Sequence, residues 1–140
     1  MTRLAYISAL MLFVLVGCSK KDEYVSPYKE LEKFPAPVVR VDAPASAVVN
    51  VVTPIEVFFA VNSGCGGFGR FEETGTGLER TIKVFPKYRD GMCTTDLPTR
   101  QKTFEFKPTV KGTYTLRFYY QPNEYITKTI LVGDMATIGG

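Results

Sequence analysis

Residues 111–120 read KGTYTLRFYY, and large apolar side chains alternate here with smaller or charged ones. Tyr114, Leu116 and Phe118 would lie on one face of an extended strand, and Thr115 on the other. Alternation with a period of two, in a run rich in aromatic residues, is typical of a half-buried β-strand. This stretch therefore predicts a strand with one face turned towards a core.

The same period-two pattern recurs along most of the chain after residue 37, and no helical stretch of useful length competes with it. Gly, Pro, Asn and Asp separate the alternating runs, as they do in turns between strands. The predicted strands cover residues 37–43, 48–52, 53–63, 67–74, 79–88, 103–108, 112–121 and 125–133. The sequence thus predicts an all-β fold, an antiparallel β-sandwich of about seven to eight strands.

Residues 111–116 (KGTYTL) resemble the tyrosine corner of immunoglobulin-like domains. In that motif a tyrosine near the start of a late strand hydrogen-bonds to the backbone a few residues upstream. The chain has Leu116 where antibody domains have a cysteine, and it contains no tryptophan. The resemblance is therefore to the wider immunoglobulin-like class, and it implies a sandwich of this type.

The last predicted hairpin allows two registers. A two-residue turn at residues 122–123 would place Tyr120 opposite Tyr125, whereas an odd-length loop would place Phe118 opposite Ile126. The second register keeps the apolar faces aligned, and burial of one face is what fixes the register of a strand. We therefore expect Phe118 opposite Ile126.

The start of the chain predicts export. Residues 4–17 form an apolar run after Arg3, which is shorter than the roughly 20 residues that a membrane-spanning helix needs and is typical of a secretory signal. The run ends in LVGC at residues 15–18, which resembles the lipobox of bacterial lipoproteins. The resemblance implies cleavage before Cys18 and acylation of that cysteine. Two or more acyl chains hold a protein on a membrane durably.

The residues after the cysteine bear on location. Ser19 argues, by the same resemblance, against retention in the inner membrane, and residues 19–23 (SKKDE) resemble the export signal of surface-exposed lipoproteins of Bacteroidota. Such a charge cluster would equally form a solvated leader. We therefore expect a lipid anchor in the outer membrane, with the protein at the cell surface or on the periplasmic face.

We accordingly divide the chain into four parts. These are a lipoprotein signal peptide (1–17), the lipidated cysteine with a flexible tether (18–36), the immunoglobulin-like β-sandwich (37–134) and a C-terminal tail (135–140). Fully extended, residues 19–37 would reach roughly 60 Å, so the domain could stand clear of the lipid. The chain carries 17 basic and 14 acidic residues, without the concentrated basic face that a nucleic-acid partner requires.

With Cys18 acylated, two cysteines remain, Cys65 and Cys93. An exported chain enters an oxidising compartment, where such a pair usually forms a disulfide. The predicted strands at 67–74 and 79–88 form a hairpin that returns the chain to the end of the sandwich where Cys65 lies. The sequence therefore predicts a Cys65–Cys93 disulfide. A reactive thiol is the alternative, but no histidine is available as its base.

The chain contains no histidine at all. This excludes His-dependent nucleophilic triads and His-ligated zinc or copper sites. Glu72 and Glu73 are adjacent carboxylates, but neighbours on a strand point to opposite faces and so do not form an acid–base pair. We therefore predict no enzymatic activity, no catalytic residue, no cofactor and no metal site.

Residues 64–69 (GCGGFG) superficially suggest a phosphate-binding loop. The Lys-Ser/Thr pair and the following helix of such a loop are missing. We interpret the glycines instead as residues that permit a positive φ and a close backbone approach at a disulfide-bonded turn.

Three loops would gather at one end of the sandwich, at residues 63–67, 89–102 and 121–124. Tyrosine and arginine are enriched at binding hot spots, and aromatic rings also stack on sugars. The candidate binding surface at this end comprises Tyr88, Arg89, Arg100, Tyr120 and Tyr125. Its expected partner is a glycan or an envelope protein. Alternatively, these tyrosines only cover the sheets and the charges keep the loops soluble.

The sequence therefore favours a non-catalytic, lipid-anchored envelope protein that acts as a binding or structural module. The alternative is a cysteine protease inhibitor similar to the chagasin type, which also uses three loops at one end of an immunoglobulin-like domain. Residues 62–67 keep only the asparagine and glycine character of that family's first loop. Residues 121–123 read QPN where the family has an Arg-Pro-aromatic element.

Overall fold

The alternating segments form eight β-strands in a computed structural model that describes residue 17 and residues 25–138. The strands are β1 (Val38–Asp42), β2 (Ser46–Val48), β3 (Thr53–Ala60), β4 (Gly66–Thr74), β5 (Glu79–Tyr88), β6 (Thr99–Phe106), β7 (Gly112–Gln121) and β8 (Glu124–Gly133). A 3₁₀ helix (Pro27–Lys33) precedes them and a short helix α1 (Met135–Ile138) follows. Cys18 and the signal peptide as far as Val16 lie outside the described residues.

The strands pack as two sheets, one with the order β1-β3-β6 and one with the order β2-β8-β7-β5-β4. The all-β sandwich is thus confirmed. Four of the strand pairs are antiparallel, as expected, whereas β2 pairs parallel with β8 and β5 pairs parallel with β7. β5 and β7 run in the same direction because β6, which lies between them in the chain, belongs to the other sheet and carries the chain back along the sandwich.

The strand boundaries agree with the predicted ones within a few residues, with two exceptions. The second strand ends at Val48, because Asn50 adopts a positive φ of 61° and its amide donates to Pro108 O. β6 begins at Thr99 instead of residue 103. Its first residues are mostly exposed and so lack the alternation on which the prediction depended.

The core lies between the two sheets and consists of the inward side chains of the alternating strands. Its fully buried large members are Phe59, Tyr88, Tyr114, Phe118, Ile55, Ile82, Leu116 and Ile130. The rings of Phe104 and Phe118 meet edge to face across the two sheets at 6.3 Å.

Tyr114 forms the predicted tyrosine corner. Its hydroxyl donates to Val110 O at 3.1 Å and accepts from Val110 N at 3.3 Å, and its ring packs 5.1 Å from Phe106. The side chain is 1% exposed. The corner therefore fixes the turn into β7 from inside the core.

The β7–β8 hairpin adopts the predicted register, with Phe118 opposite Ile126. The turn nevertheless has two residues at its tip, 122–123, because a register shift at Tyr120 makes up the odd residue. Asn123 has a φ of 63°, which asparagine tolerates better than most residues. The hairpin thus has the two-residue turn, but the bulge places Tyr119, and not Tyr120, opposite Tyr125.

Residues 26–36 pack on the sandwich, so the prediction of a flexible tether was wrong for this segment. Ser26 caps the 3₁₀ helix by accepting from Tyr28 N at 3.3 Å, and Tyr28 and Leu31 pack against the core. Ala36 N donates to Val84 O at 2.8 Å and forms an isolated antiparallel bridge with β5. These apolar contacts supply the burial that a disordered segment would lack.

Replacing Tyr114 with Phe removes the hydroxyl and leaves the backbone of Val110 without its partner. We expect a loss of about 1 to 2 kcal/mol in the free energy of unfolding, measured by urea denaturation. Tyr120→Phe is the matched control, because Tyr120 is 42% exposed, and it should change stability by less than about 0.5 kcal/mol. Equal effects of the two substitutions would contradict the role of the corner.

Candidate binding surface

A disulfide joins Cys65 and Cys93 at the end of the sandwich where β3 and β5 finish, as predicted. The two Cα atoms are 5.2 Å apart and the cysteines are 28 residues apart in sequence. The β4–β5 hairpin carries the chain away from Cys65 and back again. The bond therefore attaches the long loop between β5 and β6 (residues 89–98) to the start of β4.

The glycines around Cys65 serve close packing. A Cβ on Gly66 would lie 2.7 Å from the ring of Tyr88 and 2.6 Å from Cβ of Val61, and a Cβ on Gly64 would clash with Thr94. None of Gly64, Gly66 and Gly67 has a positive φ. The expected close approach is thus confirmed, and the expected positive φ was wrong.

Arg100, predicted to face a ligand, holds this glycine loop instead. Its Nε donates to Gly66 O at 2.9 Å and its Nη2 donates to Gly64 O at 3.0 Å. The guanidinium therefore satisfies two carbonyls of the loop. A ligand at this point would have to compete with both hydrogen bonds.

Tyr88, also predicted to line the surface, is 1% exposed. Its hydroxyl accepts a hydrogen bond from Asn62 N at 3.0 Å, and its ring stacks on that of Tyr28 with centroids 5.6 Å apart. Burial raises the pKa of its phenol above the ordinary value. The side chain is a packing element under the surface.

The backbone of Tyr88 binds the N-terminal 3₁₀ helix. Lys29 Nζ donates to Tyr88 O at 2.6 Å, and Tyr88 N donates to Glu32 Oε1 at 2.7 Å. Lys29 also lies 3.5 Å from Glu32 and 3.8 Å from Asp90. Sequence reasoning missed this contact, although Ser26-Pro27 before an amphipathic turn is a helix-start signal.

An open groove of about 580 Å³ lies beside the disulfide. Its lining residues are Lys29, Gly64, Cys65, Gly66, Gly67, Phe68, Lys87, Tyr88, Arg89, Asp90 and Arg100. Lys87 and Arg89 are exposed and form no ion pair with any residue that the structure describes. Both side chains are therefore available to an anionic group.

Tyr120 and Tyr125 lie on the β7–β8 hairpin, and neither is among the residues that line this groove. They are 42% and 41% exposed, and the ring of Tyr125 meets Tyr119 edge to face at 6.3 Å. The structure thus divides the five predicted residues. Arg89 and the hairpin tyrosines are accessible, whereas Tyr88 and Arg100 are occupied by the fold.

Among residues 25–138, no group of three or more His, Cys, Asp and Glu side chains could hold a metal ion. No helix in the same part is long and apolar enough to cross a membrane. The side chains exposed at this end of the sandwich can form ion pairs, hydrogen bonds and apolar contacts.

The fold defines a β-sandwich domain protein, and comparison with known families gives the family. The ORF11 β-sandwich domain family matches residues 55–132, more than half of the chain, and the chain belongs to this family. The match runs from β3 to β8. Neither a curated protein nor a solved structure matches the chain.

Replacing Cys65 and Cys93 together with Ala should lower the free energy of unfolding by about 3.5 kcal/mol, the chain-entropy value for a loop of this length. The measurement is guanidinium denaturation of both proteins without reductant. Adding a thiol reductant to the unsubstituted protein should reproduce the loss, and the double variant should not respond to it. A loss of less than about 1 kcal/mol would contradict a structural disulfide.

Proposed function

We propose that this chain is a non-catalytic, lipid-anchored envelope protein whose sandwich serves as a binding or structural module at the outer membrane. The observation that carries the proposal is LVGC at residues 15–18, where an apolar run ends at a cysteine followed by Ser19 and charged residues. Cleavage before Cys18 and acylation of its sulfur and its new amine would replace the signal peptide by a durable lipid anchor.

The domain supports export independently of the anchor. Its Cys65–Cys93 bond is of the kind that persists in oxidising compartments and is rare in the cytosol. The absence of histidine from the sequence supports a non-catalytic role. The first loop argues against the protease-inhibitor alternative, because Ser63 is buried and Arg100 holds Gly64 and Gly66.

The proposed partner is a glycan or an envelope protein, with no nucleic acid involved. The surface that supports this role is the β7–β8 hairpin, where Tyr120 and Tyr125 are both exposed at strand ends. Aromatic side chains of this kind combine a large contact area with a polar tip.

The anchor is tested by mass spectrometry of the protein isolated from its native host. The expected species begins at Cys18 with a diacylglyceryl group on the sulfur and an acyl group on the amine. Cys18→Ser should remain an uncleaved precursor, whereas Ser19→Ala should be processed normally. An intact Met1 start, or an unmodified residue 18, would contradict the proposal.

Binding is tested by crosslinking on intact cells with Tyr120→Ala and Tyr125→Ala combined. We expect crosslinked protein or co-purified glycan to fall about tenfold or more, the effect of removing hot-spot aromatics. The matched control is Val110→Ala with Leu131→Ala, two apolar residues that are 50% and 54% exposed elsewhere. Unchanged capture by the tyrosine variant would end the assignment of a partner to this hairpin.

A further inference from the structure

Strongly exposed apolar side chains lie in the loop between β5 and β6 and at the point where the chain enters the domain. In the loop at residues 89–98, Met92 is fully exposed and Leu97 is 70% exposed. Val25, where the described domain begins, is 69% exposed. Exposed apolar side chains gathered in one place mark a contact surface more often than scattered ones do.

The loop at residues 89–98 lies next to the point where the chain enters the domain. One cleft of about 260 Å³ is lined by Ser26, Pro27 and Tyr28 on one side and by Gly91, Met92 and Cys93 on the other. The disulfide holds the loop, and the contacts of Lys29 and Glu32 with Tyr88 hold the entering segment. The entry point therefore cannot move far from Met92 without breaking these bonds.

The length of chain between anchor and domain limits how the sandwich can face the membrane. Cys18 and Val25 are seven residues apart, which allows at most about 25 Å. β5, β7 and β8 have ten residues each, so the sandwich is about 33 Å long. The linking chain is therefore shorter than the sandwich. With Cys18 at a lipid surface, the end of the sandwich opposite the chain entry cannot lie on that surface while the entry end points away from it.

Two cations lie beside the loop, and of the loop's two carboxylates, Asp90 and Asp96, the first is already paired with Lys29. Lys87 and Arg89 flank the start of the loop, and neither forms an ion pair with a described residue. Cations next to exposed apolar side chains are the combination that holds peripheral proteins on anionic membranes. A single shallow contact of this kind binds weakly, but beside an anchor its effective concentration is high.

We infer that residues 89–98 form a second membrane contact, which lies on the lipid surface that holds Cys18. Met92 and Leu97 enter the headgroup layer, and Lys87 and Arg89 face anionic headgroups. The inference rests on the proposed acylation of Cys18. It replaces the picture of a domain standing far from the membrane on a long tether with that of a domain resting on one end.

Two methionines test this contact within one molecule. Met92 and Met135 are the only methionines after residue 18. Met135 is 75% exposed and follows β8 at the opposite end of the sandwich. The acylated mature protein, reconstituted in vesicles of phosphatidylethanolamine and phosphatidylglycerol, is treated with hydrogen peroxide, and both sulfoxides are followed by mass spectrometry. We expect Met92 to oxidise about fivefold or more slowly than Met135, although it is the more exposed of the two.

A pair of matched variants links the protection to the loop. Leu97→Asp should bring the oxidation rate of Met92 back to within about twofold of that of Met135, because a carboxylate near anionic headgroups is repelled. Val110→Asp places the same charge on an exposed residue at the far end, and it should leave the protection of Met92 unchanged.

The outcomes separate this inference from the proposal on which it rests. Protein that carries no acyl group at Cys18 overturns both. Acylated protein in which Met92 oxidises as fast as Met135 overturns the loop contact and leaves the anchor standing. Protection of Met92 on intact cells but not on vesicles also overturns the lipid contact, in favour of a protein partner at this loop.

Discussion

The buried contact between Tyr88 and the N-terminal segment decides where the chain enters the sandwich. Tyr88 ends β5, and its backbone binds Lys29 and Glu32 while its ring stacks on Tyr28. Its hydroxyl accepts from Asn62 N, so the same residue also holds the loop before the disulfide. Each of these hydrogen bonds contributes about 1 kcal/mol, and together with the stacked rings they tie three segments of the chain to one point.

The surface predicted to bind ligands is divided by the contacts of Tyr88 and Arg100 with the backbone. Tyr88 and Arg100 hold the backbone, and a substitution at either would disturb the loop before it disturbed any ligand. The accessible side chains form two groups. Lys87, Arg89 and Met92 are exposed near the chain entry. Tyr120 and Tyr125 are exposed on the β7–β8 hairpin. The inferred lipid contact uses the first group and the proposed partner the second.

Much of the fold could be predicted because a strand with one buried face shows alternating apolar and polar residues in its sequence. Alternation located most strands, face matching gave Phe118 opposite Ile126, and the corner motif gave the contact of Tyr114 with Val110. Alternation does not say which strands are neighbours, so the parallel pairing of β5 with β7 was missed. The roles of Tyr88 and Arg100 were missed for a related reason. A tyrosine or arginine at a strand end has the same sequence signature whether it binds a ligand or its own backbone.

The position of the chain entry depends most directly on residues 26–36 being part of the folded domain. Hydrogen–deuterium exchange resolved at single amides tests this. Ala36 N donates to Val84 O at 2.8 Å and Tyr88 N donates to Glu32. Both amides should therefore exchange orders of magnitude more slowly than a free chain, at rates like those of the interior strands. Exchange of Ala36 at the rate of an unstructured peptide would contradict the docking of this segment, and with it the position of the chain entry beside Met92.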